Sequence, residues 1–186
     1  FGQYFPGPMV TRGYDLGQVV EQMAYGTEGI YGTPLYVSTT YIFLFILFGS
    51  FLEQAGMIKL FTDFAMGLFG HKLGGPAKVS VVSSALMGTI TGSGVANVVT
   101  TGQFTIPLMK RSGYTAVQAG AIEAVASTGG QLMPPMMGAA AFLMAEFLEI
   151  AYKDVVLAAL IPAVLYYVAL FIQANLVAAR DGLKPV

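Results

Sequence analysis

Apolar and polar positions divide this 186-residue chain into two uninterrupted apolar runs enclosing two that break in the middle. Residues 35–52, LYVSTTYIFLFILFGSFL, carry no charge over 18 positions. As helix this run is about 27 Å long, close to a hydrocarbon core of about 30 Å, and it predicts a spanning helix. Residues 155–179, VVLAALIPAVLYYVALFIQANLVAA, predict a second span, kinked by Pro162 near its start. Residues 79–109 run 31 positions without a charge. One helix of that length would measure about 46 Å, too long for a simple span. Its middle, Thr91 to Gly94, is poor helix interior, because each glycine costs roughly 1 kcal/mol relative to alanine. Two half-length arms meeting at Gly-Ser-Gly fit better, giving a helical hairpin over 79–109. Residues 116–149 read as a discontinuous helix: an arm, an unwound GGQLMPP around Gly129-Gly130 and Pro134-Pro135, and a second arm.

Two smaller elements complete the pattern. Asp15 is placed to cap a short amphipathic helix through Tyr25. Residues 57–69, MIKLFTDFAMGLF, carry Lys59 and Asp63 at i,i+4 spacing and predict an interfacial helix or the end of a broken span. No fixed-period repeat is present, although two successive broken elements are what half of a pseudo-symmetric transporter presents.

Loop charge adds an orientation. His71, Lys72 and Lys78 precede the hairpin and Lys110 and Arg111 follow it, with no acid in either loop. Cationic loops favour the cytoplasmic side, so the 79–109 stretch is expected to enter and return from that side as a re-entrant hairpin. Residues 1–33 set Arg12 against Asp15, Glu21 and Glu28, and residues 146–154 set Lys153 against Glu146, Glu149 and Asp154. Both are expected outside, and the tail with Arg180 and Lys184 inside. The chain thus divides into an extracytoplasmic segment, 1–33, and a membrane-embedded region, 34–186.

Composition supports lipid as the main solvent. Charged residues make up 10% of the chain and hydrophobic ones 55%, where a soluble domain carries about 25% charged residues. The fold class expected is an all-α polytopic membrane protein. A net charge of −1 offers no basic footprint for nucleic acid. The absence of Cys removes disulfides, thiolate metal sites and Cys nucleophiles, and the absence of Trp leaves ten Tyr residues for any interfacial belt. The opening FGQYFPGPM has no charged n-region and does not read as a signal peptide; it reads as cut from something longer.

Candidate chemistry gathers at the two breaks. Irregular backbone at membrane depth is tolerated only where protein or a water-filled cavity covers it. Ser93, Asn97, Thr101 and Thr105 recur at i,i+4 spacing, a stripe of hydroxyl and amide oxygens that begins with Ser93 and Gly94 at a helix N-terminus. Ser127, Thr128, Gly129, Gly130 and Gln131 supply a similar mixture at the second break. Such oxygens coordinate sodium without needing a full carboxylate. Close helix packing through small residues is the competing explanation for the same residues. Glu123 is the one acid deep in an apolar run, a candidate for proton or cation coupling, and lies nine residues after Tyr114, within reach of cytoplasmic water. Met133, Met136 and Met137 are expected to fill core space.

Three other function classes are open to such a sequence. An intramembrane serine protease would use Ser93 as nucleophile and needs a base within about 3 Å; the sole histidine, His71, lies in the basic loop. Re-entrant helices also build channel filters. A structural membrane subunit would use the breaks for packing alone.

The runs MGTITGSGVANVVTTGQFTIPLMKRSGY (87–114) and ASTGGQLMPPMMGAAAFLMAE (126–146) resemble the large membrane subunit of tripartite ATP-independent periplasmic (TRAP) transporters, in its fused-permease form. The resemblance covers roughly residues 26–178. It implies a bacterial inner-membrane permease importing organic anions, often carboxylates, with sodium as coupling ion and no organic cofactor. The solute is handed over by an extracytoplasmic substrate-binding protein, beside a small membrane subunit or its fused equivalent. It further implies an elevator movement of hairpins and broken helices. Ser93 and Asn97 with Gly129 and Gly130 would border a sodium site and one side of the substrate site. A second, inverted hairpin and broken helix, which the resemblance implies for a whole permease, lie outside this sequence. The chain therefore reads as one half of an inverted-repeat transporter.

Overall fold

The computed structural model describes residues 7–9 and 13–183, and every regular element among them is helical. Arg12 and Lys184, which entered the loop-charge pattern, lie outside the described residues. Asp15 and Gln18 form a capping box at the start of α1 (Leu16–Val20), which continues as a π turn over Glu21–Tyr25. The first span is a continuous helix, Thr33–Gln54, built from α2 (Thr33–Val37), a π turn (Ser38–Ile42) and α3 (Phe43–Gln54). Then come α4 (Met57–Phe69), α5 (Gly75–Thr91), α6 (Gly94–Arg111), α7 (Ala116–Thr128), α8 (Ala139–Phe147) and α9 (Tyr152–Arg180). The helix α9 runs unbroken through Pro162.

Local sequence explains most of these limits. Pro76 in the first turn of α5 needs no helical N–H there. Gly92 ends α5 in the left-handed region at φ 58°, which an L side chain resists. Ser93 is extended and opens α6, its Oγ accepting from Ala96 N at 3.3 Å. Thr115 and Gln118 form a capping box on α7. Lys110 and Arg111 lie in the last turn of α6, where the helix dipole favours cations.

The helices α5 and α6 pack antiparallel, with Ala77 and Met109 in one cluster at the base and Ser84 Oγ 3.2 Å from Thr101 Oγ1 higher up. Their arms of 17 and 18 residues exceed the half-length expected. The reason is that charges read as loop ends lie within helix. Lys78 is one: only 6% exposed, it donates from Nζ to Asn175 Oδ1 at 2.7 Å and sits over the Phe171 ring. Only His71 and Lys72 remain as exposed cations of the preceding turn.

Two helices are long and apolar enough to cross a membrane, Thr33–Gln54 with mean hydropathy 1.9 and α9 with 2.6. Only 11% and 17% of their apolar windows are buried inside the chain. A core helix of a soluble protein hides its apolar surface, whereas Phe43, Ile46, Leu47, Ile161 and Leu165 all stand exposed. This is a membrane protein. Its internal packing relies on small residues, such as Ala77, Ala119, Ala174 and Ala178 at the hairpin base. An aromatic group of Phe45, Phe142 and Tyr152 joins α3, α8 and α9. Asp181, after α9, accepts from Arg180 Nε at 2.8 Å and from Gln118 Nε2 at 2.6 Å. Those hydrogen bonds hold its carboxyl below the ordinary range and tie the end of α9 to the start of α7.

Candidate functional site

The tip of the hairpin is seated on the break after α7. That break is a 3-10 turn, Gly129–Gln131, followed by the two prolines and an irregular stretch to Gly138. Its backbone is satisfied locally: Leu132 N donates to Gly129 O at 3.0 Å and Gly138 N to Gln131 O at 2.8 Å. Two tyrosines of α9 complete the termination of α7. Tyr166 OH donates to Val125 O at 2.7 Å and Tyr167 OH to Ala126 O at 3.0 Å, using carbonyls at the helix end.

Contact between tip and break is backbone against backbone. A Cβ on Gly88 would stand 2.5 Å from Gly130 Cα, and one on Gly130 would stand 2.9 Å from Asn97 Nδ2. Gly92 abuts the carbonyls of Met136 and Met137, and Gly94 packs against Thr128, Ser127 O and Gln131. Beside this seat lies a cavity of about 320 Å³, lined by Thr91, Gly92 and Ser93 from the tip, Gln131 and Met136 to Gly138 from the break, and apolar side chains including Ile42, Phe45 and Phe142.

Deeper along the hairpin, Glu123 is fully buried, at 0% exposure. It does not reach the water expected from its place in the sequence, because α5 and α6 cover it. Five hydroxyls surround the carboxylate. Ser84, Thr101 and Ser127 approach Oε1 at 3.1, 2.5 and 2.9 Å, and Ser80 and Thr105 approach Oε2 at 2.6 and 2.5 Å. They come from α5, α6 and α7, so one side chain joins three helices. Among the described residues the single ion pair is Arg180–Asp181, and hydroxyl donors alone compensate the buried Glu123. Asn97, also at 0% exposure, links this cage to the tip: its N donates to Ser93 O at 2.9 Å and its Nδ2 to Ser84 O at 2.8 Å, and Thr101 Oγ1 lies 2.7 Å from Asn97 O.

The sequence candidates therefore separate into two groups with Asn97 between them. Ser93 and Gln131 line the cavity, while Thr101 and Ser127 turn to Glu123. Gly94 and Gly130 are contact points. Gly129 does not face Asn97: it lies against the Tyr166 and Tyr167 rings, and Gly130 takes that place. Thr128 is exposed and bonds back to Ala124 O at 2.8 Å, joining neither group. Sequence reading missed Ser80, Ser84, Tyr166 and Tyr167. Ser80 and Ser84 have the same i,i+4 spacing as Thr101 and Thr105, a signal visible only when both arms are compared. Ser93 Oγ is engaged as a helix cap, and His71 lies before α5, a helix length of about 26 Å from the tip. No base is placed for serine chemistry.

Comparison with known proteins shows the family. The family model described as "Tripartite ATP-independent periplasmic transporter, DctM component" matches residues 7–186. The C4-dicarboxylate TRAP transporter large permease protein DctM of Pseudomonas aeruginosa is 31% identical over 72% of this chain and 31% of its own length. The sialic acid TRAP transporter permease protein SiaT of Haemophilus influenzae is 28% identical over 93% of the chain and 27% of its own. A putative TRAP transporter large permease protein of Haemophilus influenzae is 30% identical over 65% of the chain and 28% of its own. The chain thus spans less than a third of each of these relatives. A transporter component is not an enzyme, which disposes of the protease alternative. By a family match over nearly its whole length, the chain belongs to the DctM component family of tripartite ATP-independent periplasmic transporters.

Proposed function

We propose that this chain forms one half of the transport core of a sodium-coupled permease that imports organic anions across the bacterial inner membrane. The observation carrying this reading is the seat of the hairpin tip on the broken helix, with Ser93 and Gln131 on a cavity of about 320 Å³ and Asn97 against Gly130 of the break. Sodium binds through neutral oxygens, and the tip offers the hydroxyl of Ser93 while the break sets the Gln131 amide and the carbonyls of Met136 and Met137 beside it. Asn97 stands in the proposed sodium site with Ser93. Gly129 contributes at most through backbone, since tyrosine rings cover its Cα. An organic-anion substrate is supported by relatives named for C4-dicarboxylates and sialic acid. A separate extracytoplasmic binding protein delivers the solute, a small membrane subunit or its fused equivalent accompanies the permease, and the other side of the site comes from an inverted second half. The hairpin and broken helix move together in an elevator step.

Sodium activation of uptake tests this reading. In the intact permease, reconstituted with its own binding protein and compared at matched amounts of folded protein, Asn97→Ala is expected to raise the sodium concentration for half-maximal uptake about tenfold, a larger effect than its loss of folded protein. An unchanged sodium curve removes Asn97 from the site.

The re-entrant course is part of the same proposal and rests on His71, Lys72, Lys110 and Arg111 at the hairpin base. Cysteines introduced at Lys72 and Arg111 are expected to react with an impermeant thiol reagent from the same, cytoplasmic, side. Reaction from opposite sides would mean that 79–109 crosses the membrane.

A further inference from the structure

We propose that Glu123 is a positioning residue: its carboxyl orients Thr101, and through it Asn97, and so sets the sodium affinity of the tip rather than carrying an ion itself. This rests on the sodium reading above.

The first argument is acceptor capacity. A carboxylate offers about four lone-pair directions. Five hydroxyl oxygens lie within 3.1 Å of Glu123, three on Oε1 and two on Oε2. Every direction is taken, and with 0% exposure no path to water remains for a cation or proton to exchange there.

The second argument is hydrogen supply. Each threonine has one hydroxyl hydrogen and at least two acceptors near it, of which the closest are Glu123 and a carbonyl of its own helix. Thr101 Oγ1 lies 2.5 Å from Glu123 Oε1 and 2.7 Å from Asn97 O; Thr105 Oγ1 lies 2.5 Å from Glu123 Oε2 and 3.1 Å from Thr101 O. A carboxylate is the stronger acceptor, so it draws both hydrogens away from the helix's own carbonyls. Removing it lets Thr101 turn back onto Asn97 O, with no heavy atom needing to move.

The third is what this does to Asn97. Its Nδ2 donates to Ser84 O at 2.8 Å, and Ser84 Oγ is itself on Glu123. Donation from Nδ2 fixes which end of the amide is Oδ1, and Thr101 Oγ1 stands 3.4 Å from that oxygen. Helix α5 fixes the Ser84 carbonyl, and Glu123 holds the other neighbour, the Thr101 hydroxyl. A change at Glu123 therefore reaches Asn97 through Thr101, a contiguous physical link.

The test uses the intact permease in proteoliposomes with its binding protein, at matched amounts of folded protein. Glu123→Gln and Thr101→Val are each expected to raise half-maximal sodium about fivefold to tenfold, with the rate at saturating sodium within about twofold of the parent. Thr101→Ser, which keeps the hydroxyl, is expected to keep the parental sodium curve, a rescue that bulk packing alone would not give. Unchanged sodium curves in both Glu123→Gln and Thr101→Val overturn the proposal. So does a Glu123→Gln permease that moves a different number of charges per substrate, because Glu123 would then carry an ion. If Glu123→Gln gives no folded protein, the Thr101→Val against Thr101→Ser comparison decides by the same criterion. Parental uptake indifferent to sodium would instead sink the sodium reading itself, and this inference with it.

Discussion

Replacing Gly88 by alanine in the intact permease is expected to cost about 3 kcal/mol of stability and to abolish uptake. The added methyl would fall 2.5 Å from Gly130 Cα and 3.4 Å from the Gly130 carbonyl. Overpacking is cheap when the neighbour is the end of a flexible side chain. Here the neighbour is main chain in a turn pinned by Tyr166 and Tyr167 above it and by Asn97 beside it. Something has to shift, and either the tip lifts from the break or the break itself is displaced. Both outcomes open the seat on which the proposed site depends. Gly67→Ala supplies the contrast. A Cβ there meets nothing within 4 Å, and Gly67 is an exposed helical residue of α4. That change should be neutral or stabilising by up to about 1 kcal/mol. Thermal midpoints of the two variants in detergent, with uptake beside them, check the pair.

The second large effect concerns the buried carboxylate. Thr101→Val with Thr105→Val removes the two shortest of the five hydrogen bonds to Glu123, each 2.5 Å. Leaving a buried acceptor short of donors costs about 1–3 kcal/mol per hydrogen bond, so the double variant is expected to lose about 4 kcal/mol. The informative step is the triple variant that adds Glu123→Leu. With the carboxyl gone, Ser80, Ser84 and Ser127 lose an acceptor, but no buried carboxyl is left short of donors. Apolar replacement of a buried polar set is often close to neutral. The triple variant should therefore be more stable than the double one. If it is less stable still, Glu123 acts by packing volume and not as the acceptor at the centre of a cage.

Much of the framework could be read from residue order. The apolar run 57–69 coincides with α4, and Asp15 with Gln18 caps α1 as their spacing requires. Gly92 and Ser93 mark the hairpin turn, and Gly129-Gly130 with Pro134-Pro135 mark the break, because glycine and proline act on backbone torsions wherever they occur. Arm lengths were less legible. Charge was taken to end a membrane helix, yet Lys78 is satisfied inside by Asn175 and Phe171, and Lys110 and Arg111 suit the end of α6. The cage around Glu123 was the least legible. It requires the rotational phase of three helices relative to one another, which small-residue packing fixes and no single-helix pattern contains. Tyr166 and Tyr167 were hidden for the opposite reason. Tyrosine in an apolar span reads as an interfacial anchor, and only the position of the break shows that these two cap it.

On the reading proposed above, the seat of the hairpin tip on the broken helix is half of a sodium-coupled site for an organic anion. The most direct test of that reading is gradient-driven uptake of radiolabelled carboxylates by the intact permease, reconstituted in vesicles with its own binding protein. An inward sodium gradient is expected to drive accumulation above equilibrium, and an equal potassium gradient to give none. Equal uptake in both gradients, or accumulation that persists without sodium, would contradict it.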